Sequence, residues 1–155
     1  MKKLSMIIAV ICMMISPIIQ LQAQVVAEDD IIGVWLNKDK DQSVKIYKDG
    51  DKFYGEIVWL KDSLDPDTGE PKRDKNNPDP NLQTSSLLGL VILKDCVFDY
   101  DEWDAGTIYD HKNGSTFPCK LKFPDVNNLN KLQIQSYGSP PPSFGRTTIW
   151  TRKKN

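Results

Sequence analysis

Apolar and polar residues alternate along this chain in short runs separated by turn-forming pairs, the pattern of half-buried β-strands. A first strand is predicted over residues 32–37. Val44 and Ile46 alternate with Ser43, Lys45 and Tyr47 in a second. Asp49-Gly50 is a hairpin signal, because both residue types accept the positive φ of a tight primed turn. Phe53, Gly55, Ile57 and Trp59 then share one face of a third strand. Residues 87–98 are apolar on both faces, which suits a strand packed on two sides. Residues 103–109 follow, and Asn113-Gly114 is a second hairpin signal. Phe117, Cys119, Leu121 and Phe123 mark an inward face, Asn127-Asn128 turns the chain into residues 131–137, and residues 145–152 end the series. Strong helix signals are absent.

About eight strands, mostly joined by tight turns, predict an all-β fold. Eight is the number at which an antiparallel up-and-down barrel closes around side chains or one small ligand. A β-sandwich has the same strand count, and alternation does not separate the two. The ends of the series favour the barrel, which must bring its first and last strands together. Gly33-Val34-Trp35 opens it and Trp150-Thr151-Arg152 closes it. Gly33 lets backbones approach, the Trp35 indole fills the barrel end, and the Arg152 guanidinium on that indole would add about 0.5–2 kcal/mol. In the alternative, Trp35 and Trp150 are separate core aromatics and Arg152 belongs to a solvated tail.

One connection breaks the rhythm. Residues 61–86 hold no convincing strand and carry four prolines, so they read as a stiff, ordered loop of the kind that often covers a site. The smaller turn at residues 139–143, with three successive prolines, reads as a rigid corner at a barrel mouth.

The N-terminus reads differently. Lys2 and Lys3 precede an almost unbroken apolar run over residues 4–19, and Ala23 offers a small residue for cleavage. This is the form of a secretory signal peptide over residues 1–23, leaving residues 24–155 as one barrel domain. A transmembrane anchor is the alternative, but the run is marginal for a span and Pro17 interrupts it. Export to the periplasm or beyond follows, with no membrane span after cleavage. Without Lys2 and Lys3 the chain carries 18 basic and 21 acidic residues, a balance that does not attract nucleic acid or anionic lipid at long range. Cys12 leaves with the signal. Cys96 and Cys119, 23 residues apart, remain, either bridged or as two buried thiols. In a meander they lie on next-but-one strands about 9–10 Å apart, beyond disulfide reach unless one sits on a bend.

Candidate chemistry is thin. Asp62, Asp65, Asp67, Glu70, Asp74, Asn77 and Asp79 bring oxygen ligands to the long loop, but their order matches no EF-hand, and turn-forming Asp and Asn explain them. Asp95, Asp99, Asp101, Glu102 and Asp104 read as charges at a hairpin tip. His111 beside Asp110 reads as an exposed turn histidine, since neighbours across a hairpin do not make a triad. No catalytic set, metal set or cofactor motif is expected, and the chain reads as a non-enzyme. Arg146 shares parity with Thr148, Trp150 and Arg152; on an inward face it needs a carboxylate partner, Asp74 or Asp110, or an anionic ligand headgroup.

Gly33-Val34-Trp35, Asp49-Gly50, Tyr54-Gly55, residues 74–80 (Asp-Lys-Asn-Asn-Pro-Asp-Pro), Leu87-Leu88-Gly89-Leu90, Trp103, Gly106 with Ile108-Tyr109-Asp110, Gly114, and residues 144–152 occur in an order that resembles the small secreted bacterial proteins grouped as domain of unknown function 2147. The resemblance covers residues 31–152. It implies a lipocalin-like (calycin) barrel and no established activity. Two stretches depart from the family pattern: Gln83-Thr84-Ser85-Ser86 replaces an arginine-bearing segment, and His111 follows Tyr109-Asp110 where proline is usual.

The expected function is therefore an exported binding barrel for a small apolar or amphipathic molecule. A structural or protein-interaction module with a packed interior is the alternative, and a hydrolase comes third. The ligand is expected at a mouth covered by the long loop, with Trp59, Asp74, Asn77, Tyr109 and Arg146 clustered there. In the competing reading, Asp74 and Asn77 only tie the loop down.

Overall fold

The computed structural model describes residues 25–138 and 145–154. The signal-peptide reading of residues 1–23, with Cys12, and the proline corner at residues 139–143 lie outside them. Eight antiparallel strands follow one another around a closed barrel: β1 (Gly33–Leu36), β2 (Gln42–Asp49), β3 (Lys52–Leu60), β4 (Val91–Asp99), β5 (Glu102–Asp110), β6 (Ser115–Lys122), β7 (Lys131–Ser136) and β8 (Arg146–Arg152). Every neighbour is the next strand in sequence, and β8 returns to β1. Barrel rather than sandwich is thus the architecture. Residues 87–90 do not begin β4 as expected: Gly89, at φ 84°, turns the chain there and the strand starts at Val91.

The β1–β8 seam is short, with only Trp35 opposite Arg152 and Leu36 opposite Thr151 in register. Side chains make up the difference. The Arg152 guanidinium lies over the Trp35 ring, 4.2 Å from its centroid. Its nitrogens donate to the carbonyls of Ile32 (2.9 Å), Leu129 (3.1 Å) and Asp30. Gly33, at φ 147°, is what admits it, because a Cβ there would stand 2.6 Å from Arg152 Nη1.

Beneath that clamp the barrel end is solid. A short 3-10 turn (Glu28–Ile31) crosses it, and its carbonyls accept the two buried indole N–H groups, Trp35 to Ile31 at 2.8 Å and Trp103 to Glu28 at 3.2 Å. Phe53, Phe98 and Phe123 pack edge-on or tilted against the two indoles, with centroids 5.1–6.2 Å apart. Such contacts add to simple area burial. The inward face of β6 (Phe117, Cys119, Leu121), continued by Phe123 just beyond it, lies as the alternation predicts. Cys96 and Cys119 are buried free thiols.

Trp35→Ala is expected to lower stability by about 3–5 kcal/mol in denaturant unfolding, and Arg152→Ala by less. The two changes combined in a double-mutant cycle should show coupling of about 1–2 kcal/mol. Additivity would mean that the guanidinium and the indole act independently.

Candidate functional site

The two ends of the barrel differ. Opposite the aromatic plug, the interior opens into a cavity of about 610 Å³. Its apolar wall is Ile92, Ile108, Phe117, Ile134 and Trp150. Its rim is polar and comes from three places: the β1–β2 turn (Asn37, Lys38, Asp39), the β5–β6 hairpin, and the facing parts of β7 and β8 with Arg146.

The hairpin, and not the long loop, overhangs this mouth. Residues 61–86 contribute nothing to the cavity lining. Instead the tip of β5–β6 reaches to β2: His111 Nε2 pairs with Gln42 Oε1 at 3.0 Å, and Lys112 Nζ sits 3.0 Å from Asp41 Oδ2. His111 is therefore half-buried at the rim, which corrects its reading as an exposed turn residue. Burial pushes its pKa below the ordinary 6.5. The Asp41 carboxyl lies below its usual range: burial works against this, but hydrogen bonds from Asn37 and Lys112 outweigh it.

The long loop buttresses the hairpin from outside. The Asn76 side-chain amide donates to the carbonyls of His111 (3.3 Å) and Lys112 (3.0 Å). Asp74, 1% exposed, accepts from the Tyr109 hydroxyl at 2.8 Å and from Asn77 Nδ2 at 2.7 Å. A carboxylate so enclosed is tolerable only because both oxygens are hydrogen-bonded. Burial foremost, then the Asp74 carboxylate, pushes the Tyr109 hydroxyl up to about 12. Asp74 and Asn77 thus anchor the loop to the end of β5.

The five residues expected to cluster are divided among three places. Tyr109 and Arg146 border the cavity, while Asp74 and Asn77 join Tyr109 only from behind. Trp59 lies on the outer surface with Lys153 Nζ 5.0 Å from its ring centroid. A bulge explains this: Val44 pairs with Ile57 but Ser43 with Trp59, so Val58 is extra and Trp59 flips to the opposite face from Ile57. Arg146 is exposed at the rim and pairs with neither Asp74 nor Asp110. β8 stands three strands around the barrel from β5, and both carboxylates are engaged locally, Asp110 by Lys112 N and Asn113 Nδ2.

Among the described residues, no group of three or more His, Cys, Asp or Glu converges in a way that could hold a metal. Gln42, His111, Lys112 and Asn76 were not singled out as site residues. Phe117 is legible in sequence as an inward-facing position, and Ile92, Ile108 and Ile134 only as members of predicted strands.

Residues 33–152 match the family described as "Uncharacterized protein conserved in bacteria (DUF2147)". Among solved structures, the chain is similar in fold to one described as "Protein HP1028 from the human pathogen Helicobacter pylori belongs to the lipocalin family". The TM-score is 0.65 and the identity 24%, over 81% of this chain and 84% of that one. Curated protein sequences yield no match.

Tyr109→Phe leaves a buried Asp74 oxygen without its donor and is expected to lower stability by about 1–3 kcal/mol in thermal or urea unfolding. The parent should also lose stability as pH rises from about 10 toward 12, because the unfolded hydroxyl ionises near 10 while the folded one holds its proton to about 12. The variant should lack that part of the loss. His111 gives the opposite limb. Its folded pKa lies below the unfolded 6.5, so stability is intact above pH 6.5 and falls as pH drops through the folded value. His111→Gln should flatten that acid limb.

Proposed function

The chain belongs to the DUF2147 family of bacterial proteins, and we propose that it serves as an exported barrel that binds one small amphipathic molecule. The observation that carries this reading is the half-filled interior. An apolar wall of Ile92, Ile108, Phe117, Ile134 and Trp150 leads up to a rim bearing Lys38, His111 and Arg146. A cavity of about 610 Å³ falls within the range of small-molecule sites, which are largely apolar with a few placed polar groups. An apolar tail fits the wall, and an acidic or strongly polar head fits the rim.

Export is supported by the charged and apolar N-terminal segment with its small residue at position 23. Holding a molecule, rather than transforming it, is supported by the state of the rim groups. His111 is engaged by Gln42, and Asp110 is engaged by its own turn. Neither is poised beside a nucleophile. The guanidinium of Arg146 is the rim cation best placed to meet an anionic head, since Lys112 already faces Asp41.

Native mass spectrometry of protein purified from its own host is expected to show a co-purifying small molecule. Titration with dodecanoate should quench the fluorescence of Trp150 in the cavity wall. Arg146→Ala is expected to weaken dodecanoate about two- to fivefold, as befits an exposed ion pair, and to leave dodecanol unchanged. If neither amphiphile binds and nothing co-purifies, the barrel is a structural or interaction module instead.

A further inference from the structure

We propose that Cys96 and Cys119 are an oxidisable pair that joins β4 to β6 by a disulfide laid across the inner face of β5. Next-but-one strands stand about 9–10 Å apart, and a bridge needs Cα atoms within about 7 Å. Two local features distort the ladders at that level. Asp95 (φ 60°) and Ala105 (φ 57°) put the backbone into the left-handed region on both strands at the same level. The β3–β4 and β5–β6 ladders shift register beside them. Between them stands Gly106, opposite Cys119 in register. A Cβ on Gly106 would lie 2.2 Å from Cys96 Sγ and 3.1 Å from Cys96 Cα. Cys96 therefore fills the volume that a side chain at position 106 would occupy, and it leans over β5 toward Cys119.

The hydrogen bond that the Cys96 thiol makes is local, to the Lys94 carbonyl at 3.9 Å. The neighbouring Cys119 thiol, together with burial, pushes the Cys96 thiol far above its ordinary range. Thiolates are the reacting species in exchange, so the bridge is made while the chain folds and the thiols are still in water. The oxidant is a disulfide, R–S–S–R, of the kind that oxidising compartments supply. One cysteine thiolate attacks it, forming a mixed disulfide and releasing one RS⁻. The second thiolate attacks the cysteine sulfur of that mixed disulfide, forming the Cys96–Cys119 bond and releasing the other RS⁻. The two thiol protons end on the two RSH, and the oxidant takes up two electrons. The finished bond lies between the aromatic plug and the cavity floor, where reductant has little access.

The test refolds the full chain, carrying Cys12→Ser, from denaturant and reductant into a reduced and oxidised glutathione buffer. Each sample is then alkylated in denaturant without reductant and weighed intact. The expected product is two hydrogens lighter than the reduced chain, carries no alkyl group and yields one cross-linked peptide containing residues 96 and 119. Its thermal midpoint should exceed that of the reduced chain by roughly 10 °C. Gly106→Ala should lower the bridged fraction severalfold, because the methyl takes the place of the Cys96 sulfur. Two alkyl groups per parent chain, or glutathione retained on one cysteine, would overturn the proposal whatever the variant does. A variant that bridges as fully as the parent would remove the open crossing as its basis.

Discussion

A closed barrel has no spare edge, so its shortest ladder must be held by something besides the ladder itself. Here that is the stack of Arg152 on Trp35. One guanidinium donates to three carbonyls from two segments, those of Asp30 and Ile32 before β1 and that of Leu129 before β7, while its flat face covers an indole. Arginine suits this work because its fork of donors is rigid and weakly hydrated; a lysine would offer one point charge and no plane. The indole in turn fixes the 3-10 turn through its own N–H. Seam and plug are one assembly, and the rest of the barrel closes on it.

That assembly sets the gradient along the barrel axis. Aromatic rings fill the plugged end; aliphatic side chains and Trp150 line the other end without filling it. The bulges lie between and alongside. They retune which residues face inward on β3, β4 and β5, and they explain why two adjacent residues, Ile92 and Leu93, are both buried where strict alternation would bury one. The mouth is then partly covered by a hairpin held by an ion pair and a histidine contact to β2 and by Asn76 from the long loop.

The strands were legible because alternation and turn chemistry are local signals, and β6 shows how cleanly they read. The Trp35–Arg152 contact was legible because closure is a topological demand that only the ends of the strand series can meet. Trp59 was misread for a physical reason: a single extra residue, Val58, reverses parity, and nothing in composition announces it. The long loop was misplaced because length and proline content speak to order and not to direction. Asp74 and Asn77 look like ligand groups in sequence, yet their partners are each other and Tyr109. His111 reads in sequence as an exposed turn residue because its partner, Gln42, lies 69 positions away.

The seam also has a consequence in time. Arg152 lies in the last strand of the barrel, and two of its carbonyl partners precede it by 120 and 122 positions. Contacts of such separation form late, after the loop-closure entropy of nearly the whole domain has been met. Until the ribosome or any transport channel has released β8, the first strand has no partner on one side and the indole no cover. The chain thus remains open until its last strand is free to pair. Its final strand acts as the fastener that turns a curled sheet into a vessel.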